Sequence, residues 1–270
     1  IDRGSINFQG VDVVNLSIHE LRRIRGNEMS MIFQEPMTSL NPLKTIGSQI
    51  SESLVLHMGM SRKDAMDRAV EMLELVMIPE ARRRVSEFPH QMSGGMRQRV
   101  MIAIALSCNP KVLLADEPTT ALDVTIQAQI IDLIGSLQDQ LGTATILISH
   151  DLGLMAEQAD RIMVMYAGKI VEEAGADGIF TQQCHPYTVG LLRCIPKIGS
   201  SSSAYEGRKR LQEIPGNVPS LLDLPQGCSF QARCAFVTEQ CQMKAPPLEE
   251  KLPGHWAACW HSDRVLDNVS

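Results

Sequence analysis

Aromatic side chains are scarce in this sequence: 2 Trp, 3 Tyr and 6 Phe make 4% of 270 residues, too few for a platform on which bases stack. A cationic surplus is missing too. Lys and Arg total 25 against 31 Asp and Glu, a net charge of −6, which disfavours a generic binder of nucleic-acid phosphates. No uninterrupted apolar run approaches the length of a spanning helix, about 18 residues or more. The N-terminus has no basic segment leading into an apolar stretch, so the chain reads as soluble and unexported. Neither an internal repeat nor a run of heptads is present. Seven cysteines, an odd number without a secretory leader, favour reduced thiols or metal ligands over a disulfide framework. The first residue is Ile1 rather than Met, which predicts that the chain starts inside a longer protein.

What is present organises into alternating elements. Ser5 to Phe8 and Met29 to Phe33 read as short strands around a polar, basic segment from Glu20 to Arg25. Glu35-Pro36 and Asn41-Pro42 punctuate a loop over 36–42. Ser61-Arg62-Lys63-Asp64 is a capping box, and Ala65, Ala69, Val70, Leu73, Val76 and Met77 follow at helical spacing, predicting a helix from about Arg62 to Met77. Ser93-Gly94-Gly95 opens a second apolar helix through Met101, Ile102, Ala105 and Leu106, ended by Asn109-Pro110. The period then changes. Val112-Leu113-Leu114-Ala115 is the continuous apolar run of a buried parallel strand. A helix from Thr125 to Leu141 stops at Gly142, a strand runs from Ala144 to Ile148, and Ile162–Tyr166 with Lys169–Glu173 forms a hairpin across Ala167-Gly168. Strand, helix, strand with short links is a right-handed crossover unit. After about Phe180 prolines and cysteines concentrate, a serine run covers Ser200 to Ser203, and the negative excess disappears, predicting an appended C-terminal region.

Asp116-Glu117 at the end of the apolar strand is suited to metal-assisted phosphoryl transfer, with one carboxylate for Mg²⁺ and one to polarise a water. A solvated strand terminus has the same pattern, so the acids gain meaning from their neighbours in sequence. Upstream, Ser93-Gly94-Gly95-Met96 opens a helix whose free N–H groups and positive dipole end suit a phosphate, although an ordinary N-cap has the same form. Downstream, His150 follows its strand on the same sheet edge as the acids if the strands are parallel.

Gln34, Ser93-Gly94-Gly95-Met96-Arg97-Gln98-Arg99, Asp116-Glu117-Pro118, Ala121-Leu122-Asp123 and His150 occur in the order of the Q-loop, signature, Walker B, D-loop and switch histidine of an ABC-type ATPase, which residues 1 to about 200 resemble. The resemblance implies an α/β fold: a P-loop NTPase, RecA-like ABC ATPase core with an inserted helical subdomain and a Cys-rich C-terminal extension. It divides the chain into a partial core over 1–34, a helical subdomain over 35–107, the rest of the core over 108–180 and the extension over 181–270. It also implies roles. Asp116 would bind Mg²⁺ through water, Glu117 would be the general base, His150 would contact the γ-phosphate, and Gln34 would sense Mg²⁺ and the attacking water and link to the membrane subunits. Ser93, Gly94 and Gly95 of the signature, with Met96 beside them, would grip the γ-phosphate of ATP on a partner ATPase domain, with Asp123 at that dimer interface. The phosphate-cradling G-x-x-x-x-G-K-[ST] loop does not occur. The expectation is an N-terminal truncation that removes the first strand, this loop and its helix, a βα unit of roughly 30 residues or more, from a chain exceeding about 300, with ATP hydrolysis a property of the full-length protein and no ATP bound at this chain's own site; a degenerate, non-hydrolysing subunit is the alternative.

Phe33-Gln34-Glu35-Pro36-Met37-Thr38-Ser39-Leu40-Asn41-Pro42, Met163 to Gly168 and His185-Pro186-Tyr187-Thr188 are similar to the dipeptide, oligopeptide and nickel importer subgroup. That implies peptide uptake, with nickel or glutathione import as the runner-up, two transmembrane permease subunits, a second ATPase subunit, an extracytoplasmic substrate-binding protein, no nucleic acid, and a peripheral place on the cytoplasmic face of the inner membrane. A soluble relative acting on ribosomes or DNA is disfavoured by the charge and the single motif set. Cys228, Cys234, Cys241 and Cys259 resemble the subgroup's terminal motif, in which some members hold a [4Fe–4S] cluster; zinc or unligated thiols remain open. Cys108, Cys184 and Cys194 read as packing residues, and His255 and His261 as surface histidines. Arg82-Arg83-Arg84 reads as a solvated loop, and Met58, Met60, Met66, Met72 and Met77 as core filling.

Overall fold

A computed structural model describes residues 4–34, 39–120, 122–195 and 213–268. The expected loop start at Glu35 to Thr38, Ala121 and the serine run at 200–203 lie outside the described residues. The chain forms two compact units, 1–150 and 151–270.

The first unit begins with a hairpin of β1 (Asn7–Phe8) and β2 (Val11–Asp12). Gln9 and Gly10 both take positive φ, +51° and +84°, as the twist of a two-residue hairpin turn requires. The basic segment is a helix, α1 (Ile18–Ile24), closed by a reciprocal capping box between Ser17 and Glu20. β3 (Met29–Ile32) is followed, among the described residues, by α2 (Ile46–Met58), α3 (Arg62–Leu75), α4 (Ala81–Arg84) and α5 (Gly94–Leu106). The expected helix from Arg62 ends before Met77 because Met77 turns left-handed, φ +57°. The three arginines are helical rather than a solvated loop: Arg83 pairs with Glu80 at 2.9 Å and Arg84 with Glu87 at 3.1 Å. Of the five methionines expected in the core, Met72 is fully buried, Met60 packs against the core from its edge, and Met58, Met66 and Met77 are exposed.

β4 (Val112–Asp116), α6 (Val124–Leu141) and β5 (Ala144–Ile148) complete the crossover unit. The strands lie in the order β3-β4-β5, all parallel, with Met29 opposite Val112 and Val112 opposite Ala144. One core joins sheet and helices through Ile32, Leu113, Ile102, Leu106, Ile130, Leu137, Leu73 and Ile46. α6 stops where expected, because Gly142 takes the left-handed cap, φ +66°.

In the second unit, α7 (Leu152–Gln158) precedes β6 (Arg161–Tyr166) and β7 (Lys169–Gly175), the expected hairpin. α8 (Ala176–Thr181), α9 (Pro186–Arg193) and α10 (Glu239–Met243) follow. β8 (Glu249–Leu252) and β9 (His255–Ala257) then add to the hairpin in the order β6-β7-β9-β8, and α11 (Ser262–Asp267) closes the unit. The Cys-rich region therefore shares a sheet with residues 161–175. The Arg233 guanidinium lies against the rings of Tyr166 and Phe230 and donates to the carbonyl oxygens of Ile214 and Pro215. Gly227 is needed for a close crossing: a Cβ there would overlap the carbonyl oxygens of Cys241 and Gln242, where Cys228 N–H also donates to Cys241 O at 2.7 Å. Gly227→Ala is expected to destabilise the second unit by about 3 kcal/mol, the upper end for forced overpacking. Urea unfolding measures it, and an unchanged midpoint would contradict the crossing.

Candidate functional site

Because β3, β4 and β5 run parallel, their carboxyl ends open on one edge, the place where such sheets bind ligands. Gln34 follows β3, Asp116 ends β4 with Glu117 next to it, and His150 follows β5. Glu117 is held through its backbone. Its N–H donates to Ile148 O at 2.9 Å and its carbonyl accepts from Thr120 N–H at 3.1 Å. Its φ is +43°, a region that a non-glycine residue occupies only where surrounding contacts impose it.

The side chain is held as firmly. Gln34 Nε2 donates to Glu117 Oε2 at 2.9 Å, Thr120 Oγ1 donates to the same oxygen at 2.8 Å, and His150 Nδ1 lies 3.3 Å from Oε1. The Thr120 hydroxyl first, and His150 second, hold the Glu117 carboxyl below the usual carboxylate range, so it is an ionised acceptor at neutral pH. The Glu117 side chain is 26% exposed and the His150 ring 78%, which leaves the edge open to a ligand. Asp116 adds a second, half-buried carboxylate. An oxygen-only donor set of this kind suits Mg²⁺. The structure thus brings Gln34, Asp116, Glu117 and His150 to one edge. Thr120 is the member that sequence reasoning missed; its signal is the position three residues after Glu117, where a turn brings the hydroxyl back.

The signature residues start a helix. Ser93 caps α5 by accepting from Met96 N–H at 3.3 Å. Gly94 is exposed, while Gly95 does steric work: a Cβ there would stand 3.2 Å from Ile126 Cγ2 on α6. Asp123 is the N-cap of α6, its Oδ1 accepting from Ile126 N–H at 3.0 Å. Ser93 and Asp123 thus terminate helices.

In the second unit Cys228, Cys234, Cys241 and Cys259 line one cavity with Phe236 and His261. Phe236 N–H donates to Cys234 Sγ and His261 N–H to Cys259 Sγ, both at 3.4 Å, and Thr238 Oγ1 lies 3.5 Å from Cys241 Sγ. Gln231 N–H donates to Cys228 O at 3.0 Å. Burial raises the thiols of Cys228 and Cys234, and that of Cys259 to about 11, so metal binding there must release protons. A tetrahedral zinc ion spaces its sulfurs by about 3.8 Å. Among the described residues the one group of three metal-capable side chains within 4.8 Å is Glu172, Cys184 and His255, so the four thiols are spread wider than zinc requires. Cys108 and Cys184 are buried, as packing residues should be.

Glu172, Cys184 and His255 are a hydrogen-bonded knot. Glu172 Oε1 accepts from Cys184 N–H and, at 2.7 Å, lies against His255 Nε2, while Oε2 accepts from His185 N–H at 3.1 Å. His255 is accordingly buried, not a surface histidine, because β9 pairs with β7 and brings it over Glu172. His261 is half-buried, hydrogen-bonded to Thr238 Oγ1 at 2.9 Å. Burial pushes His185 down to about 3, keeping it neutral, and its Nδ1 accepts from Tyr187 N–H at the start of α9. Glu172→Ala would strand two buried backbone donors and His255. A loss of about 3 kcal/mol is expected, read by chemical denaturation, and a loss below about 1 kcal/mol would contradict the anchoring role.

Among the described residues no helix is long and apolar enough to cross a membrane. Residues 1–120 match the ABC transporter family and residues 171–241 the oligopeptide/dipeptide transporter C-terminal region. The chain is 51% identical over 265 residues to a probable peptide ABC transporter ATP-binding protein, y4tR of Sinorhizobium fredii, covering 98% of this chain and 77% of the relative. It is also 51% identical over 257 residues to the oligopeptide transport ATP-binding protein OppD of Escherichia coli, covering 95% and 74%. The ATP-binding cassette MJ0796, solved as a dimer in a post-hydrolysis state bound to ADP and Pi, superposes with a TM-score of 0.58 at 30% identity over 65% of this chain and 74% of that one. With its α/β core, parallel sheet and strand-edge carboxylates, the chain belongs to the ATP-binding proteins of the ABC transporter family, in the branch that carries the oligopeptide/dipeptide transporter C-terminal region.

Proposed function

We propose that this chain is the ATP-hydrolysing subunit of a membrane importer that energises uptake of di- or oligopeptides through partner permeases. The observation that carries the reading is the convergence of Gln34, Thr120 and His150 on the ionised carboxylate of Glu117; the cargo follows from the relatives named for peptide import. Glu117 takes a proton from the attacking water, Asp116 would hold Mg²⁺ through water, His150 contacts the γ-phosphate and Gln34 would sense the ion and the water. Bound Mg²⁺ would neutralise charge on the transferring phosphoryl group. The N–H groups at Gly94 and Gly95, with the Ser93 hydroxyl, grip the γ-phosphate of ATP on a second ATPase subunit, Met96 N–H closing the cap onto Ser93, and Asp123 lies at that interface.

The partners are that second subunit, two transmembrane permeases and an extracytoplasmic substrate-binding protein, with this chain peripheral at the cytoplasmic face of the membrane. A groove of about 400 Å³ lined by Met31, Phe33, Ser39, Leu40, Met101 and Ile104 supports permease docking close to Gln34. In functional terms residues 1–34 and 108–180 make the catalytic core, 35–107 the helical subdomain that carries the signature, and 181–270 the extension. Cys228, Cys234, Cys241 and Cys259 would hold a [4Fe–4S] cluster, which would tie together four separate segments of the second unit; their common cavity and N–H···S contacts support it.

In the assembled importer Glu117→Gln is expected to abolish phosphate release, a loss of at least about a hundredfold for a general base, while ATP still binds. Undiminished turnover would contradict the assignment. Anaerobically purified protein is expected to be brown with stoichiometric iron and sulfide; a colourless, zinc-loaded sample would contradict the cluster.

A further inference from the structure

The Glu117 carboxylate is not symmetrically held. Oε2 receives two donors, Gln34 Nε2 at 2.9 Å and Thr120 Oγ1 at 2.8 Å. Among the described residues Oε1 faces the exposed His150 ring alone, at 3.3 Å the longest of the three contacts. A carboxylate oxygen that already accepts two hydrogen bonds has no lone pair left in its plane for a third partner. Thr120 is also the more permanent of the two donors. Its own N–H closes the turn onto Glu117 O at 3.1 Å, so hydroxyl and backbone reach the same residue from within one four-residue turn. Gln34, by contrast, is 83 positions away in sequence.

We propose that Thr120 is a positioning residue for ATP hydrolysis, whose hydroxyl locks Glu117 Oε2 and thereby makes Oε1 the oxygen that accepts the proton of the attacking water. In the step, one O–H bond of the water breaks and its proton moves to Oε1. The water oxygen forms the new bond to the γ-phosphorus, and the bond from that phosphorus to the bridging oxygen breaks, with the electron pair leaving on ADP. For Oε1 to be available the His150 ring must turn away from it, a motion open to a side chain that is 78% exposed. Without the Thr120 hydroxyl Oε2 would keep only the bond from the distant Gln34, the carboxylate would be held less tightly, and the accepting oxygen would be aligned for only part of the time. The inference rests on the reading of Glu117 as the general base.

Two measurements test it. In the assembled importer Thr120→Val, which keeps the shape and removes the hydroxyl, is expected to lower kcat about tenfold with KM for ATP within about twofold, whereas Thr120→Ser restores kcat. In this chain without nucleotide, isotope-edited infrared spectroscopy with ¹³C-labelled glutamate, the band assigned by its loss in Glu117→Gln, reads the hydrogen bond directly. The antisymmetric carboxylate stretch of Glu117 is expected to shift in Thr120→Val and to hold its position in Thr120→Ser. The proposal is overturned by a wild-type kcat in Thr120→Val, by a loss that appears in KM, by a serine variant as slow as the valine one, or by a band that does not move. If the valine variant does not assemble, the serine variant and the infrared band of the isolated chain still decide. Failure of the base reading looks different: Glu117→Gln itself would then turn over.

Discussion

The hydrogen bond from Glu117 N–H to Ile148 O is the contact on which the site depends. It extends the parallel ladder of β4 and β5 by one residue past Asp116, whose partner is Ile148, and it holds Glu117 where the chain turns left-handed. A β4 that ended without this bond would let the residue relax out of its positive φ, and the carboxylate would leave the reach of Gln34, Thr120 and His150. The crossover through α6 and its packing on Ile130, Ile134 and Leu137 keep β5 in that register. Strain at Glu117 is here offset by the packing of the apolar core.

A second constraint of the same kind organises the other unit. A fully buried Glu172 carboxylate is costly unless its oxygens are filled, and the sequence fills them from two distant places: the backbone at Cys184 and His185, and His255 on β9. That requirement brings β9 against β7 and carries Trp260 and Cys259 toward the loops that hold the other cysteines. The thiol cavity is therefore a consequence of the sheet.

Much of this was legible in the chain. The Ser61 cap, the apolar run at Val112 to Ala115 and Gly142 each act locally, and the elements they announce lie within two residues of expectation, although Asp64 accepts from the Ser61 hydroxyl rather than completing the expected capping box. The parallel strands and the meeting of Gln34, the acids and His150 followed from motif order, because a parallel sheet sends every carboxyl end to one edge. Interactions that join distant segments were not legible. The turn at Thr120 needs the left-handed Glu117, the burial of His255 needs a strand pairing across more than eighty residues, and the double use of Gly95 needs Ile126 on another helix. The helix α2 was missed because its apolar positions, Ile46, Ile50 and Leu54, carry a sparse stripe, although Thr45 and Gly59 bound it as caps. The methionines differ from expectation for another reason: Met72 is buried and Met60 packs at the edge of the core, while Met58, Met66 and Met77 face solvent.

The proposal for Glu117 is that Gln34 and Thr120 hold Oε2, while Oε1 takes the proton once His150 has turned away. A crystal structure of the assembled importer with Mg²⁺ and a non-hydrolysable ATP analogue tests it most directly. The expected result is an ordered water within hydrogen-bond distance of Glu117 Oε1 and in line with the γ-phosphorus, with Thr120 still on Oε2 and His150 turned to the nucleotide. A water held through Oε2, or by another residue with Glu117 turned away, would contradict it.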